Sequence, residues 1–436
     1  MVTRIGKSVP LIDSVEKVTG NLKYGTDFKL PGMLYGKVLR SPIAHGKILS
    51  IDAGKARSLP GVRAVLTGDE MDLPNFSVAG EKMLDERLLA KDKVRYCGDE
   101  VAVVAATSED IAEEALSLIK VEYEELPAVL DLEGAILPGS PLVHEKLGTN
   151  IVREMTVDIG DADKAFAEAD AIVEGSYETP RIHHGYLEPH AAVVQWDNLD
   201  KVTFWACTQS PVLARMTYAK ALGIKEEQVR VIQLPLGGGF GGKLEYKLHP
   251  LGALLARETG RPVQMVNTRK DELTASLPRM PMIIEMKLAA SRDGKLLGKK
   301  TRILADNGAY LNYGPGIMLS ATTRHENLYR IENAYTNSFL VYTNKMPTGA
   351  MRGFGCPQSF FALELLMDKL AGELNLDPLE LRLKNAYRTG DTTPHQWFLG
   401  SCGLTECIQK AAASSKWPEK KAKESGNEQA GSNIRR

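Results

Sequence analysis

Two glycine-rich segments carry the residues whose types and spacing point to chemistry. The first, residues 237–243, holds five glycines in seven residues, with Phe240 as its one large ring and Lys243 as its cation. Glycines leave peptide N–H groups open to a bulky or anionic ligand, which is typical of a cofactor-binding loop. Leu244 replaces the hydroxyl that a Walker phosphate loop requires, and the acidic ribose-binding residue of a dinucleotide fold is missing. A tight bend between packed strands is the structural alternative.

The second segment, residues 349–358, places Arg352 and Phe354 between glycines, immediately before a predicted helix. A guanidinium next to the N–H groups of a helix N-terminus favours an anion, for example a phosphate or an oxo ligand of a metal. A surface arginine in an ordinary loop is the alternative. We interpret Cys356 as a small buried thiol, because no histidine lies near it in sequence to activate it.

A third segment, residues 183–190, contains three of the eight histidines beside Glu188. Its spacing fits neither the His-Glu-x-x-His motif nor a facial triad, and Pro189 argues against a helix that presents every ligand on one face. We therefore expect a hydrogen-bonded polar network beneath a pocket, with direct metal ligation as the alternative.

The spacing of apolar residues and the positions of proline and glycine predict the helices and strands that position these segments. Short β-rich runs predict strands, and apolar positions three and four residues apart predict helices. Hydroxyl and acidic residues at 107–110 form a capping signal for the helix that follows them. Breakers at 137–141 indicate a linker near a domain boundary. The predicted strands span 33–39, 101–105, 171–177 and 229–234, and the predicted helices span 111–119, 162–169, 359–374 and a start at 377–380.

Composition and charge narrow the class of function. The 436 residues are 43% hydrophobic and 25% charged, as in ordinary folded proteins of several domains. A net charge of -1 supplies no global field that would attract nucleic acid or an anionic membrane. The five cysteines form no close pair typical of zinc or iron–sulfur sites. No apolar run reaches the ~18 residues of a spanning helix. We therefore expect a cytoplasmic protein in a reducing compartment.

In their order along the chain, these segments resemble the molybdopterin-binding subunit of the molybdenum hydroxylases, the xanthine dehydrogenase and aldehyde oxidoreductase family. The likeness extends over nearly the whole chain and rests on residues 13–20, 187–190, 207–209, 237–243, 308–310 and 350–358. It implies an α+β fold, with an α/β-hammerhead domain at 1–135, the first molybdopterin-cofactor-binding domain at 145–415, and a polar tail or linker at 416–436. This extent is similar to the split large molybdopterin subunit of nicotinate dehydrogenase-like members.

The resemblance also implies roles for individual residues. Gln209 corresponds to a glutamine that hydrogen-bonds near the molybdenum oxo ligand, Phe240 to its partner in the glycine loop, and Arg352 to an arginine beside the metal. Phe354 corresponds to an aromatic residue that packs on ring-shaped substrates. Because the pterin dithiolene holds molybdenum, we expect these side chains to form the environment of the metal without ligating it. The implied cofactor-binding set is Gln209, Gly238, Gly239, Phe240, Gly241 and Arg352.

The implied activity is hydroxylation of an N-heterocyclic aromatic compound, purine-like or nicotinate-like, with oxygen taken from water. An aldehyde oxidoreductase subunit and a cofactor-free scaffold or assembly protein of the same fold are the alternatives. Leu244 and Ser320 stand where purine-oxidising members have a glutamate and an arginine, which weakens the case for a purine.

The resemblance further implies partners. The family's general base is a glutamate in a C-terminal Gly-Glu motif that this sequence does not contain. We therefore assign no catalytic residue to this chain and expect a second molybdopterin-binding chain. A fragment of a longer subunit is the alternative. The cofactor is expected to be molybdenum-molybdopterin in its cytosine dinucleotide form. Because iron–sulfur and flavin signatures are missing here, [2Fe–2S] and FAD are expected on partner subunits.

Overall fold

The computed structural model describes residues 5–78, 83–244 and 247–417. Helices and sheets alternate along these residues, which confirms the predicted α+β class. The strands are β1 (Leu34–Arg40), β2 (Gly46–Asp52), β3 (Val62–Thr67), β4 (Lys93–Val94), β5 (Glu100–Ala106), β6 (Lys120–Glu125), β7 (Ile151–Ile159), β8 (Ala171–Thr179), β9 (Ala191–Trp196), β10 (Val202–Ala206), β11 (Val229–Gln233), β12 (Val263–Val266), β13 (Met282–Ala290), β14 (Leu296–Gly308) and β15 (Asn333–Tyr342). The α-helices are α1 (Ser14–Thr19), α2 (Gly54–Ser58), α3 (Glu109–Leu118), α4 (Leu132–Ala135), α5 (Ala162–Ala167), α6 (Pro211–Leu222), α7 (Leu248–Thr259), α8 (Arg269–Ala275), α9 (Gly314–Thr323), α10 (Cys356–Glu373), α11 (Pro378–Asn385) and α12 (Leu404–Ser415).

The predicted elements are confirmed with shifts of a few residues at their ends. β1, β5, β8 and β11 cover the predicted strands, and α3, α5, α10 and α11 cover the predicted helices. The Ser108 hydroxyl caps α3 by accepting a hydrogen bond from the Ile111 N–H at 3.3 Å. The Asp377 carboxylate caps α11 by accepting from the Leu379 N–H at 2.7 Å. Such caps satisfy N–H groups that a helix start leaves unpaired, which is why these starts can be read from sequence.

A seven-stranded sheet joins the first third of the chain to the region that follows it. Its strand order is β11-β10-β9-β12-β1-β5-β3. β1 pairs in parallel with β12 and antiparallel with β5, and every residue of β5 is buried. Burial on both faces explains why β5 is a continuous apolar run instead of an alternating one. A five-stranded sheet, β7-β15-β14-β13-β8, and a three-stranded sheet, β4-β2-β6, lie in the same described residues.

One hydrophobic core spans the join. It combines Leu34 and Val103 from the first region with Phe204, Leu255 and Met265 from the second. The division at 1–135 and 145–415 therefore separates regions that share a sheet and a core, and as a domain boundary it stays a prediction. Most of the predicted tail, residues 418–436, lies outside the described residues. No described helix is long and apolar enough to cross a bilayer.

Gly36 of β1 offers a test of this join. A Cβ atom at Gly36 would lie 3.1 Å from the Val263 Cγ1 and 3.2 Å from the Leu255 Cδ1, and it would overlap the Met265 sulfur. Gly36→Val should lower the free energy of unfolding by ~1–3 kcal/mol, because overpacking a filled core forces neighbours to shift. Gly372→Ala in α10 is the matched control, since no atom lies within 4 Å of the added Cβ. Urea unfolding measures both variants, and an unchanged Gly36→Val midpoint would contradict tight packing at the join.

Candidate functional site

Two neighbouring parallel strands bring two predicted site segments to one edge of the seven-stranded sheet. β10 ends at Ala206, shortly before Gln209, and β11 ends at Gln233, shortly before residues 237–243. The strands pair in parallel, with Ala206 opposite Gln233. Since the carboxyl ends of parallel strands open toward the same side, ligands of α/β sheets bind at such edges. The topology therefore places Gln209 beside residues 237–243, called the glycine loop below.

The glycine loop packs against residues 349–355, called the arginine loop. The Arg352 N–H donates to the Phe240 carbonyl oxygen at 2.9 Å. Gly241 has a φ of +103°, and a Cβ there would lie 3.0 Å from the Met351 Cα and overlap the Ala350 carbonyl. Only glycine permits this backbone contact. Gly241 thus serves close packing of two loops, and that packing makes Phe240 and Arg352 neighbours.

The Gln209 side chain is oriented by the glycine loop. Its Oε1 accepts hydrogen bonds from the Gly241 N–H at 2.9 Å and the Lys243 N–H at 3.2 Å. A Cβ at Gly239 would lie 2.6 Å from the same oxygen. With Oε1 occupied, the amide presents its Nε2 as a donor, and no acceptor for it lies within the described parts of the chain. Gln209 is therefore a pre-oriented donor at the edge of the loop.

Three consecutive N–H groups of the glycine loop, those of Gly238, Gly239 and Phe240, have no acceptor among residues 5–78, 83–244 and 247–417. The other N–H groups of the loop are bonded within the protein. Positive φ values at Gly238 (+94°) and Phe240 (+53°) occur in backbone nests that bind anions. Phe240 is also 50% exposed. A left-handed, exposed aromatic residue is costly and is found mainly at functional sites.

Arg352 and Phe354 lie immediately before α10, as predicted, because α10 begins at Cys356. The Arg352 side chain is exposed, and no carboxylate of the described residues pairs with it. The Phe354 ring is partly buried and meets the Tyr313 ring edge-on at 6.4 Å between centroids. Burial raises the pKa of the Cys356 thiol, which disfavours a reactive thiolate. Arg352 is therefore the uncompensated cation of this edge, whereas packing holds Phe354 in place.

Lys243 does not face a ligand, contrary to the expectation from its place at the end of the loop. Its side chain is fully buried, and its Nζ pairs with the Glu188 Oε2 at 2.5 Å. Glu188 also accepts from the Gly25 N–H at 2.9 Å and the Gly237 N–H at 2.7 Å. A buried ammonium must be paired, so the carboxylate draws Lys243 beneath the loop. The sequence marked Glu188 only as a neighbour of histidines.

The histidine segment forms the predicted hydrogen-bonded network. The Tyr186 hydroxyl donates to the Glu272 Oε2 at 2.5 Å, and the His190 N–H donates to the Glu272 Oε1 at 2.6 Å. Burial opposes the charge of Glu272, but His190 and these hydrogen bonds outweigh it and lower the pKa of the carboxyl. Sequence reasoning missed Glu272, because it lies 82 positions beyond His190. No group of three His, Cys, Asp or Glu residues in the described chain is arranged to hold a metal ion.

His184 ties this segment to the arginine loop. Its Nε2 lies 2.8 Å from the Ala350 carbonyl oxygen and donates to it in the neutral tautomer. Burial lowers the pKa of His184 to about 4, so the ring is neutral near pH 7. The arginine loop thus rests on a neutral donor.

The positions linked to purine recognition carry no charge in this chain. Leu244 packs against the main core, and Ser320 is half-buried on α9. The Arg324 guanidinium lies over the Trp397 ring at 4.4 Å. Glu245 lies outside the described residues. Leu244 and Ser320 therefore offer no charged group.

Comparison with known families adds two matches. Residues 143–386 match the family described as the molybdopterin cofactor-binding domain. Residues 19–127 match the a/b hammerhead domain of aldehyde oxidase and xanthine dehydrogenase. The order of the two matches is the predicted one.

Curated relatives show how much of the family's length this chain spans. It is 40% identical over 408 residues to the nicotinate dehydrogenase large molybdopterin subunit of Eubacterium barkeri, covering 93% of this chain and 95% of that protein. It is 37% identical to the xanthine dehydrogenase molybdenum-binding subunit of Escherichia coli O157:H7, covering 98% of this chain and 57% of that protein. The chain thus spans nearly all of one relative and little more than half of the other.

Solved structures have the same fold. The aldehyde oxidoreductase from Desulfovibrio gigas is 32% identical with a TM-score of 0.90, and the match covers 95% of this chain and 47% of that one. Quinoline 2-oxidoreductase from Pseudomonas putida 86 is 32% identical with a TM-score of 0.91, covering 98% and 56%. This chain spans about half of each.

The buried pair beneath the glycine loop can be tested by a double-mutant cycle. Lys243→Met alone leaves the buried Glu188 carboxylate without a counter-charge and should lower the free energy of unfolding by ~3–5 kcal/mol. Adding Glu188→Gln should restore part of that loss, because neither charge is then left unpaired. The exposed Lys47 and Glu124 pair is the control, and its cycle should give ~0.2–1 kcal/mol. Equal coupling in both cycles would show that the buried pair does not anchor the loop.

Low pH should destabilise the protein through the buried histidines His184 and His249. Burial lowers the pKa of His184 to about 4 and that of His249 to about 3, below the ~6.5 of an unfolded histidine. The unfolded state therefore takes up protons first, so stability is complete above pH 6.5 and falls as the pH drops toward 4. Melting temperatures between pH 7.5 and 4.5 measure this slope. His184→Gln keeps an amide donor and should reduce the dependence of the melting temperature on pH. A variant as acid-sensitive as the wild type would show that His184 does not cause the loss of stability.

Proposed function

The chain belongs to the molybdenum hydroxylases, the family of aldehyde oxidase and xanthine dehydrogenase. From that premise we propose that it holds one side of the molybdopterin cofactor in an enzyme that hydroxylates an N-heterocyclic aromatic compound. The observation that carries the proposal is the backbone contact between Phe240 and Arg352, which joins the two predicted loops at one sheet edge. Hydrogen-bond donors and a cation meet there, and no carboxylate of the described residues neutralises the cation.

The site suits a cofactor with oxo and phosphate oxygens. The Nε2 of Gln209 and the N–H groups at 238–240 are donors without acceptors in the described residues, and Arg352 adds a cation. The nearby Glu188 carboxylate is neutralised by Lys243 and adds no repulsion. Charge-assisted donors of this kind favour anionic groups. We therefore propose Gln209, Gly238, Gly239, Phe240, Gly241 and Arg352 as the cofactor-binding set.

The residues of this chain would bind and orient in that enzyme. When bound, the molybdenum cofactor supplies the redox centre for inserting oxygen from water into a carbon–hydrogen bond with removal of two electrons. Gln209 would donate its Nε2 hydrogen to an oxo oxygen, and Arg352 would balance negative charge beside it. Phe240 would exclude water from this side. Phe354, already fixed by Tyr313, would offer its ring to a planar substrate.

A second polypeptide, in this proposal, completes the cofactor site and brings the general-base glutamate. Support comes from coverage of 95% of a relative named a large molybdopterin subunit, against 57% of a relative named a molybdenum-binding subunit. We propose that the cofactor carries cytosine dinucleotide and that electrons leave through [2Fe–2S] and FAD subunits. The exposed thiols of Cys97 and Cys407 suit the reducing cytoplasm, where we place the complex.

Among substrates, a nicotinate-like heterocycle is favoured over a purine. Leu244 packs in the core and Ser320 is uncharged, so the two positions lack the charged pair used by purine-oxidising members. Aldehyde oxidation is the second candidate, and the same apolar Leu244 favours it.

Metal and pterin analysis of the complex purified from its native source tests the proposal. We expect about one molybdenum per chain, released cytosine nucleotide, and iron and flavin on companion subunits. Turnover of nicotinate, hypoxanthine and benzaldehyde under one electron acceptor then separates the substrate classes. An intact complex without molybdenum and pterin would favour the scaffold alternative and remove the catalytic role.

Substitutions test the individual site residues. Phe240→Ala and Arg352→Ala should each leave a folded complex with kcat lowered about 100-fold, the usual loss when one preorganised stabilising group is removed. The controls are Phe398→Ala, a ring 70% exposed in a separate loop, and Arg292→Ala between β13 and β14, and both should keep normal rates. Wild-type turnover with Phe240→Ala and Arg352→Ala would exclude the two residues from the site.

A further inference from the structure

A cleft of about 430 Å³ lies outside the proposed cofactor contacts, and none of its lining residues belongs to the cofactor-binding set. One wall is formed by residues 83–95 of the hammerhead region, and the other by residues 144–147 and Tyr310. Its size falls in the range of small-molecule sites, roughly 300–1,000 Å³. The aromatic rings of His144 and Tyr310 meet edge-on there, with centroids 5.8 Å apart. Tyr310 is buried, so the cleft offers space for a small planar molecule beside the partly exposed His144 ring.

The lining of the cleft is positively charged in a chain that is nearly neutral. Its cations are Arg87, Lys91, Lys93, Arg95 and Lys146. Lys93 pairs with Glu145, and burial lowers the pKa of His144 to about 4, so neither adds net charge near pH 7. Four cations then remain against two carboxylates, Asp85 and Asp92, a local net charge of +2 where the whole chain carries -1. The cleft therefore attracts anions.

The two arginines are held by carbonyl groups instead of carboxylates. The Arg95 Nε donates to the Val143 carbonyl oxygen at 3.1 Å, and the Arg87 Nη2 donates to the Leu73 carbonyl oxygen at 2.6 Å. Carbonyl oxygens orient a guanidinium without adding a counter-charge. The Asp99 and Glu145 carboxylates do act on the Arg95 charge, whereas the Arg87 Nε is buried without a partner in the described residues. A preoriented guanidinium such as that of Arg87 is a usual recognition element for carboxylates.

A short backbone segment links the cleft to Phe354. Tyr310 lines the cleft, and the next residue, Leu311, donates its N–H to the Asp85 Oδ2 at 2.7 Å. Two residues further on, the Tyr313 ring meets Phe354 edge-on. The same segment thus forms the wall of the cleft at one end and supports the proposed substrate ring contact at the other.

We propose that this cleft is an accessory subsite that binds the carboxylate of a small aromatic acid before the ring reaches Phe354. The subsite rests on the proposed function for its place in catalysis, but its binding chemistry does not. Arginine and lysine charge recognises the carboxylate, while His144 contacts the ring. Substrates that carry an anionic group are thereby favoured over neutral heterocycles of the same size.

Ligand binding to the purified complex tests the subsite directly. Isothermal titration with nicotinate, with its neutral analogue nicotinamide, and with inorganic phosphate separates aromatic carboxylate, ring and simple anion. Nicotinate should bind about tenfold more tightly than nicotinamide, and added salt should reduce the difference. Equal binding of the two would overturn the proposal. Phosphate that displaces nicotinate with equal affinity would assign the cleft to any anion and likewise overturn it.

Variants of lining lysines locate the effect. Lys91→Met with Lys146→Met removes one half-buried and one exposed charge and should weaken nicotinate binding about 3- to 10-fold. Lys55→Met with Lys220→Met removes equal charge outside the cleft and should have no effect. In turnover, the cleft variant should raise KM for nicotinate, leave kcat unchanged, and leave KM for a neutral heterocycle unchanged.

These readouts keep the two proposals apart. Molybdenum content and turnover of neutral substrates report on the proposed function, whereas nicotinate affinity reports on the cleft. A complex that contains molybdenum but binds nicotinate equally with and without Lys91 and Lys146 would refute the subsite alone. A complex without molybdenum that still loses nicotinate affinity in the cleft variant would refute the enzyme and support the subsite.

Discussion

The Glu188 carboxylate joins three parts of the chain that are distant in sequence: its own segment, the segment of Gly25 and the glycine loop. It accepts hydrogen bonds from the Gly25 and Gly237 N–H groups and pairs with the buried Lys243 ammonium. An ammonium without access to water must stay beside its counter-charge, so the end of the glycine loop cannot turn outward. The loop is consequently held from below, and its upper surface is free for other contacts.

This inward use of Lys243 changes where the charge of the site comes from. The exposed positive character belongs to Arg352 and to backbone donors, not to the cation within the glycine loop. His184 and Glu272 support the same surface from beneath through neutral and charged hydrogen bonds. Because Lys243, Glu188 and Glu272 are paired within the protein, the donors above them remain available to a ligand.

The hammerhead region contributes more than a neighbouring domain would. Its β1 and β5 continue the sheet whose edge carries Gln209, and its residues 83–95 form a wall of the basic cleft. Charge is therefore arranged in two places. A compact set of donors lies at the joined loops, and a broader excess of cations lies across the segment that leads from Tyr310 to Tyr313. Under the two proposals, an anionic cofactor and an anionic substrate would be recognised by different groups.

The sequence by itself determined the α+β class, the main strands and helices, the family, and the two loops that carry Phe240 and Arg352. The class, the elements and the loops follow from local patterns, namely periodicity, capping residues, and glycines around single large side chains. The family follows from the resemblance of the ordered motifs to the molybdenum hydroxylases. It also indicated a polar network around His190. Only the tertiary structure decided that Lys243 is buried, that Glu272 anchors the network, and that cations gather in a cleft. Such features depend on pairing between residues far apart in the chain, and no local pattern records which distant carboxylate a buried charge will meet.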